Sequence, residues 1–433
     1  MPRIVIAGGG FAGLSAAREL EKRCRHDRDL EVLLIDRNNY MLFTPMLPEA
    51  ATGSVEVRHI TQPFRAQLRN VRFELGEILG VDEERREVSV RHPLTQETRS
   101  ILYDQLILAL GSTPSTKNIP GVERSAYFLR TVPDAECLRS AIIGAVEVAS
   151  RSEDAVERDR LLRFVIVGGG FTGVEVAGEL SAFLRSILRY YPSVHPHQTK
   201  VVLLQSEDRL LEHLPERFGK QAARELFDRG IDIRTCQDVE RVDPAGITLK
   251  DGERFESRTV IWSAGEEPAP FVKRLGLKLS EHGAIITDRD FGVPDHPQLM
   301  AIGDCAAVPR KSGKTYAPLA QNAMREGPLA ARNALARLRR KRTKSFDYQE
   351  LGQMASLGDR HALAELPGKR MLTGLSAWLL WRTYYLGRLP GLGRKTRVAL
   401  DWSLGVAFGP ALARLPMLEQ GASSFEESHA TSR

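Results

Sequence analysis

Four cysteines are present in 433 residues, Cys24, Cys137, Cys236 and Cys305, and no two are close in sequence. That spacing excludes a Cys-x-x-Cys redox motif and indicates neither a zinc knuckle nor a disulfide framework; the cysteines could still meet in space, but they read as ordinary buried or half-buried thiols. No stretch of about 20 apolar residues exists, which excludes a membrane-spanning helix. The histidines show no metal-ligand spacing and no nucleophile–base triad presents itself, so no metal site is expected. No leader is expected either, since Met1-Pro2-Arg3 runs straight into Ile4-Val5-Ile6-Ala7, which reads as a first strand. Glycine is abundant, 36 residues, but without a collagen-like period.

The length implies two or three domains. The formal charge is +6, and its location says more than its sum. The run Arg337 to Lys344 and the basic residues from Lys369 to Arg397 lie late in the chain, away from the glycine-rich turns. They suit an anionic surface, and no nucleic acid is expected as a partner.

Two glycine-rich turns carry the chemistry. The first follows the apolar strand Ile4 to Ala7 and reads Gly8-Gly9-Gly10-Phe11-Ala12-Gly13, leading into a small-residue helix. Gly8 permits a tight turn, Gly10 lets a pyrophosphate approach the backbone, and Gly13 lets the helix pack on the sheet. Unpaired N–H groups at the helix start then face the phosphates. A second strand, Leu30 to Ile35, ends in Asp36, placed to accept hydrogen bonds from an adenosine ribose. A complete dinucleotide site of this kind implies FAD rather than FMN.

The device recurs about 160 residues later, where Phe164 to Val167 leads into Gly168-Gly169-Gly170-Phe171-Thr172-Gly173 and a helix containing Glu175. Two copies imply two nucleotides. The strand Val201 to Leu204 ends in Gln205 where the first copy has Asp36. A neutral amide neither grips both ribose hydroxyls nor repels an added phosphate, so NADH is the expected donor while NADPH stays admissible. Arg209 offers a charge for that phosphate, but Glu207 and Asp208 argue against a dedicated pocket.

Continuously apolar strands at Leu106–Leu110 and Val260–Ala264 suit buried parallel positions. Val71–Val81 and Glu87–Val90 look like antiparallel strands inserted in the first domain. The fold class is α/β, with two Rossmann-like dinucleotide-binding domains, the second inserted in the first. The expected boundaries are 1–120 for the first part of the FAD domain, 121–160 for a connecting helical segment and 161–270 for the NAD(P)H domain. Residues 271–335 complete the FAD domain, 336–368 form a linker with strands, 369–415 an amphipathic region and 416–433 a flexible tail.

Together these elements resemble the two-dinucleotide-binding-domain flavoproteins, and most specifically the type II NADH:quinone oxidoreductase family, over the chain to about residue 415. The resemblance rests on Asn39 to Gly53, similar to the segment lining the isoalloxazine, on Gly170 to Glu175, on Ala317-Pro318-Leu319-Ala320-Gln321-Asn322-Ala323, and on Ala377-Trp378-Leu379-Leu380-Trp381. Leu299 to Ala306 looks like the late strand whose acid, here Asp304, holds the ribityl chain. It implies an enzyme that passes a hydride from NADH to FAD and two electrons onward to a membrane quinone, without pumping protons. Flavin contacts are then expected from Gly8, Gly10, Phe11, Ala12, Gly13, Asp36, Arg37, Pro45, Ala109, Gly111, Gly303, Asp304, Ala320 and Gln321. Nicotinamide contacts are expected from Gly168, Gly170, Thr172, Gly173, Glu175, Gln205 and Gly265.

The resemblance places Glu175, Gln321 and Arg325 at the reacting centre. Glu175 either orients the nicotinamide or helps deliver a proton, although an acid near a helix start is also favoured by charge alone. Arg325 departs from the family's second glutamine; it either donates to a quinone carbonyl, narrows the pocket, or pairs with Glu326 or another nearby acid at the helix surface. A disulfide-reductase reading lacks its cysteine pair, and Cys305, next to Asp304, reads as structural rather than as a sulfur carrier.

Helical phasing from Met371 to Leu389 puts Met371, Leu372, Leu375, Trp378, Leu379, Tyr385, Leu386 and Leu389 on one apolar face, flanked by basic residues. Arg382 falls within that face and must snorkel or find a partner. The resemblance implies a peripheral seat on the cytoplasmic face of the cell membrane. The same face would otherwise dock on the protein or form a homodimer, and the competing function is a soluble NAD(P)H:acceptor reductase. A second apolar stretch, Val398 to Phe408, is interrupted by Asp401 and Gly405.

Overall fold

The structure is a computed structural model that describes residues 1–25, 29–349, 352–366, 368, 370–389, 391–409 and 412–414. Lys369 and the expected flexible tail, 416–433, lie outside the described residues. In chain order the elements that matter for function begin with β1 (Arg3–Ala7), α1 (Phe11–Arg23), β2 (Glu31–Asp36), α2 (Leu47–Ala51), β3 (Arg72–Leu75) and β4 (Gln105–Leu108). The middle of the chain gives α3 (Val132–Arg151), β5 (Arg163–Val167), α4 (Phe171–Ile187), β6 (Lys200–Leu204), β7 (Ile231–Arg234) and β8 (Thr259–Trp262). The last part gives β9 (Gly292–Val293), β10 (His296–Ala301), α5 (Ala320–Leu338), β11 (Met354–Gly358), β12 (His361–Leu366), β13 (Arg370–Thr373), α6 (Gly374–Arg388) and α7 (Leu392–Phe408).

Contacts divide these residues into two compact units. The first comprises 1–42, 61–113 and 266–349; the second comprises 43–60, 114–265 and the described residues from 352 onward. Segment 43–60, which sequence proximity groups with the first glycine turn, thus packs within the second unit.

The first unit is built on a six-stranded sheet of order β9-β10-β4-β1-β2-β3. β1 runs parallel to β2 and β4, and β10 parallel to β4, so their carboxyl ends share one edge. Ile4, Val5, Ile6 and Ala7 are fully buried, as a central parallel strand covered on both faces requires. Residues 72–75 differ from expectation: β3 is a parallel strand of this sheet, paired with β2, and the antiparallel meander begins only at Glu77. Gly76 is the reason, because a Cβ there would stand 2.1 Å from Val90 Cγ1, so the chain crosses between sheets where no side chain fits. α1 packs on α5 equally closely, with Gly327 against the Ala12 carbonyl.

The second unit holds the parallel sheet β7-β6-β5-β8. α3 starts on a capping box in which Thr131 and Asp134 bond each other's backbone N–H groups. The antiparallel sheet β11-β12-β13 lies against α4 backbone to backbone. A Cβ on Gly178 would be 2.0 Å from the Leu357 carbonyl oxygen, and one on Gly358 would be 2.4 Å from that of Gly178.

The tail also departs from the phasing argument. Met371 and Leu372 are in strand β13, paired with β12, and the helix starts only at Gly374, whose φ of +66° ends the strand. Ala377, Trp378 and Trp381 of α6 are then buried, while Leu375 and Leu379 face outward. No helix among the described residues is long and apolar enough to cross a membrane.

Candidate functional site

In the first unit the sheet edge gathers Gly8 after β1, Asp36 at the end of β2, Ala109 and Gly111 after β4, and Gly303 and Asp304 after β10. This is the edge at which parallel α/β sheets bind ligands. A Cβ on Gly8 would lie 2.2 Å from the Ala109 carbonyl oxygen and one on Gly13 1.8 Å from that of Gly8, yet nothing lies within 4 Å of one on Gly10. The turn is therefore closed toward the sheet and open on the ligand side, and α1 begins at Gly10 with no side-chain cap on its first amides. Those features fit a pyrophosphate.

Gly9 N–H donates to Asp36 Oδ2 and Asn38 N–H to Oδ1, each at 2.7 Å. Each oxygen keeps a lone pair for a ribose hydroxyl. Burial pushes the Asp36 carboxyl up, and these two amides pull it back. Ser112 Oγ lies 2.9 Å from Asp304 Oδ2. Ala12 is buried under Gly303 and Gly327, whereas Arg37 is exposed.

The acceptor-side candidates sit on α5. Gln321 is half-buried in its first turn. Arg325 is exposed, with its guanidinium carbon 5.4 Å from the Tyr348 ring centre. Glu326, one of the partners considered for Arg325, turns inward instead and accepts the Gly303 N–H at 2.7 Å. Burial pushes Glu326 up to about 7, with Asp304 adding to the rise. Glu326 carries no sequence motif, and its contact with Gly303 spans 23 residues. Cys305 is fully buried, bonded to the Ile302 carbonyl and pushed up to about 12 by burial, which suits a structural thiol.

The second unit repeats the turn. A Cβ on Gly173 would be 1.8 Å from the Gly168 carbonyl oxygen, nothing lies within 4 Å of one on Gly170, and α4 likewise starts without a side-chain cap. Gln205 Oε1 accepts the Gly169 N–H at 2.7 Å, reproducing the geometry of Asp36 with a neutral group. Thr172 opens α4, Gly265 follows β8 with φ +126°, and Pro45 precedes α2.

Glu175 lies beyond the first turn of α4, so helix charge does not explain it. It faces inward into a row of three buried carboxylates with Glu179 and Glu49, which are 9%, 6% and 2% exposed. Ser356 on β11 joins two of them: its N–H donates to Glu175 Oε1 at 3.1 Å and its hydroxyl to Glu179 Oε1 at 3.2 Å. Burial is the main force pushing Glu175 and Glu179 up to about 8.

Arg382 from α6 finds its partner here. Its guanidinium is 3.6 Å from Glu49 Oε1 and lies between the Trp378 and Trp402 rings, 3.8 and 4.4 Å from their centres. Trp402 Nε1 donates to Glu49 Oε2 at 3.2 Å. Burial pushes Glu49 up, opposed by Arg382 and Trp402. Asp401, read from sequence as an interruption, pairs with His59 at 2.5 Å and accepts the Glu56 N–H. Neither Glu49 nor Glu179 was singled out by the sequence.

A fold with two such turns and a closing antiparallel sheet defines a two-dinucleotide flavoprotein, and the family model for pyridine nucleotide-disulphide oxidoreductases matches residues 2–327. The model for the NDH2 C-terminal domain matches residues 351–409. A type II NADH:quinone oxidoreductase of Mycobacterium tuberculosis is 32% identical, over 96% of this chain and 90% of the relative. A probable NADH dehydrogenase of Dictyostelium discoideum is 31% identical, over 94% and 90%. The chain belongs to the type II NADH:quinone oxidoreductases, FAD-holding, NADH-using enzymes that do not pump protons. The structure of NDH2 from Plasmodium falciparum in complex with NADH superposes with a TM-score of 0.86 at 20% identity, covering 95% of this chain and 99% of that one. A sulfide:quinone oxidoreductase from Aquifex aeolicus shares the fold at 0.70 and 17%, over 95% and 96%.

Proposed function

We propose that this chain oxidises NADH and reduces a lipophilic quinone while seated peripherally on an anionic membrane face, on the cytoplasmic side where NADH is found. The observation that carries the seat is the outer surface of the tail. Leu400, Leu404 and Phe408 recur every fourth residue along α7 at 53, 53 and 74% exposure, and Leu375 and Leu379 repeat the pattern on α6. Arg388, Lys395 and Arg397 accompany them. An exposed apolar stripe with basic neighbours fits a lipid interface.

The overall reaction is NADH + H⁺ + quinone → NAD⁺ + quinol, and the flavin, when bound, supplies the two-electron relay. The chain's own residues place the reactants. Gly10, Asp36 and Asp304 would hold FAD, and Gly170 and Gln205 would hold the donor. Glu175 would hold a proton near the nicotinamide turn, while Gln321 and Arg325 offer donors to a quinone carbonyl.

Cosedimentation of the yellow protein with phosphatidylcholine vesicles, with and without phosphatidylglycerol, tests the seat. Binding should need the anionic lipid and weaken with salt. A protein that ignores vesicles, forms a stable dimer through the same stripe, and reduces only water-soluble acceptors would instead be the soluble reductase.

A further inference from the structure

Glu326 is a buried acid that the hydride and electron relay do not use, yet it stands at the cofactor edge of the first unit. It is 3% exposed, and its Oε2 accepts the Gly303 N–H at 2.7 Å, one residue before Asp304. Gly303 holds φ +71°, so this bond from α5 pins the turn that carries Asp304. Gly303 and Gly327 both lie against Ala12 of the first glycine turn: a Cβ on Gly303 would be 3.1 Å from Ala12 Cβ, and one on Gly327 2.3 Å from the Ala12 carbonyl oxygen. The titratable groups facing Glu326 are few. Asp304 and the Cys305 thiol come from the turn after β10; α1 presents Ala12, Ser15 and Ala16 to Gly327, and β4 has no titratable residue. Arg18 of α1 bonds to Gln67 and Glu19 to Arg23 and Arg332, while Arg325 of α5 turns to Tyr348. Among the described residues Asp304 is the one charge acting on Glu326, and it is of like sign.

We propose that Glu326 is a cofactor-positioning residue that is neutral whenever FAD is bound, so that the protein takes up one proton with each FAD. The inference rests on the reading in which Gly10, Asp36 and Asp304 hold FAD. A diphosphate on the α1 turn carries two negative charges and would add them to that of Asp304, beside a carboxyl buried away from water. Without FAD, burial and Asp304 already push Glu326 up to about 7, and the added charges push it higher. Below pH 7 both forms carry the proton, and affinity is independent of pH. Above pH 7 the FAD-free protein has lost it, binding must recover it from water, and the dissociation constant rises about tenfold per pH unit. Neutral Glu326 still accepts the Gly303 N–H through its carbonyl oxygen, so the turn under Asp304 keeps its anchor in both forms.

The test follows FAD leaving the holoenzyme. Diluted holoenzyme is equilibrated between pH 6 and 8.5, and released flavin is read by its fluorescence. The dissociation constant should be flat to about pH 7 and then climb, reaching about 30-fold by pH 8.5. Glutamine is nearly isosteric with the neutral acid and keeps the acceptor, so E326Q should bind within about twofold of wild type at pH 6 and show no slope. E326A leaves the Gly303 N–H unpaired and should bind about tenfold more weakly than E326Q at every pH. A measurement on wild type alone covers an unstable E326Q: in lightly buffered solution at pH 8, a pH-indicator dye should register about one proton freed per flavin released. A wild-type constant flat across the range, or an E326Q constant with the wild-type slope, overturns the proposal while leaving the FAD site as read. E326A as tight as E326Q overturns the positioning role. A G10A protein that binds FAD as wild type does overturns the site and the proposal with it.

Discussion

Replacing Arg382 by Met removes the cation from a pocket that keeps Glu49 2% exposed, and the cost should depend on pH. With no guanidinium at 3.6 Å, Glu49 must take up a proton to stay buried. At pH 7 that step costs about 1.36 kcal/mol for each unit above an ordinary glutamate pKa of about 4.3, roughly 3.7 kcal/mol in all. At pH 5 it costs about 1 kcal/mol. Loss of stacking on Trp378 and Trp402 adds about 1–2 kcal/mol that does not vary with pH. The sign follows from protons bound: the folded variant binds one more than the unfolded chain above pH 4.3, so its stability falls as pH rises. Urea unfolding of the holoprotein at pH 5 and pH 7, followed by tryptophan and flavin fluorescence, measures both terms. The double variant E49Q/R382M should recover about 3 kcal/mol at pH 7 and little at pH 5. An R382M cost equal at the two pH values, or untouched by E49Q, would refute the assignment of Glu49 as the ionised partner.

The two glycine turns separate fold from ligand. G13A drives a Cβ to 1.8 Å from the Gly8 carbonyl oxygen and should yield little soluble protein, whereas G10A, with open space, should fold yet purify colourless. G170A should retain its flavin but raise the KM for NADH by about tenfold or more in stopped-flow reduction. Q205E keeps an acceptor for Gly169 N–H and adds a charge; kcat/KM for NADPH should fall about tenfold while that for NADH holds. Exchanging Leu400, Leu404 and Phe408 for Ser removes about 1 kcal/mol or more of lipid contact per residue, so vesicle binding should weaken about 100-fold with soluble-acceptor activity intact.

The turns were legible because their constraints are local. Gly8, Gly10 and Gly13 answer to one another within six residues, and Asp36 and Gln205 each stand at the end of the next strand of their sheet. Glu49 was not legible, since Trp402, which bonds it, is 353 residues away in sequence. Arg382 could be recognised as a misfit on an apolar face, but nothing local named its partner. Met371 and Leu372 show the limit of periodicity: two apolar residues at a strand–helix junction satisfy either period, and pairing with β12 decided the matter. Residues 72–75 were misread as antiparallel for a related reason, because Gly76 divides two sheets within one stretch of alternating apolar and polar residues.

The face-to-face glycines Gly178 and Gly358 bear on how this enzyme can be dismantled. A chain cut before residue 369 would lose Arg382 and Trp402 together, leaving Glu49 without its cation and its indole donor, and it would strip β13 and α6 from the sheet that rests on the nicotinamide-side helix. Truncation would therefore report on the donor half of the enzyme as much as on its surface. The proposed seat and the nicotinamide-side fold form one piece of chain, and point changes on the outward leucines, not truncation, are what part them.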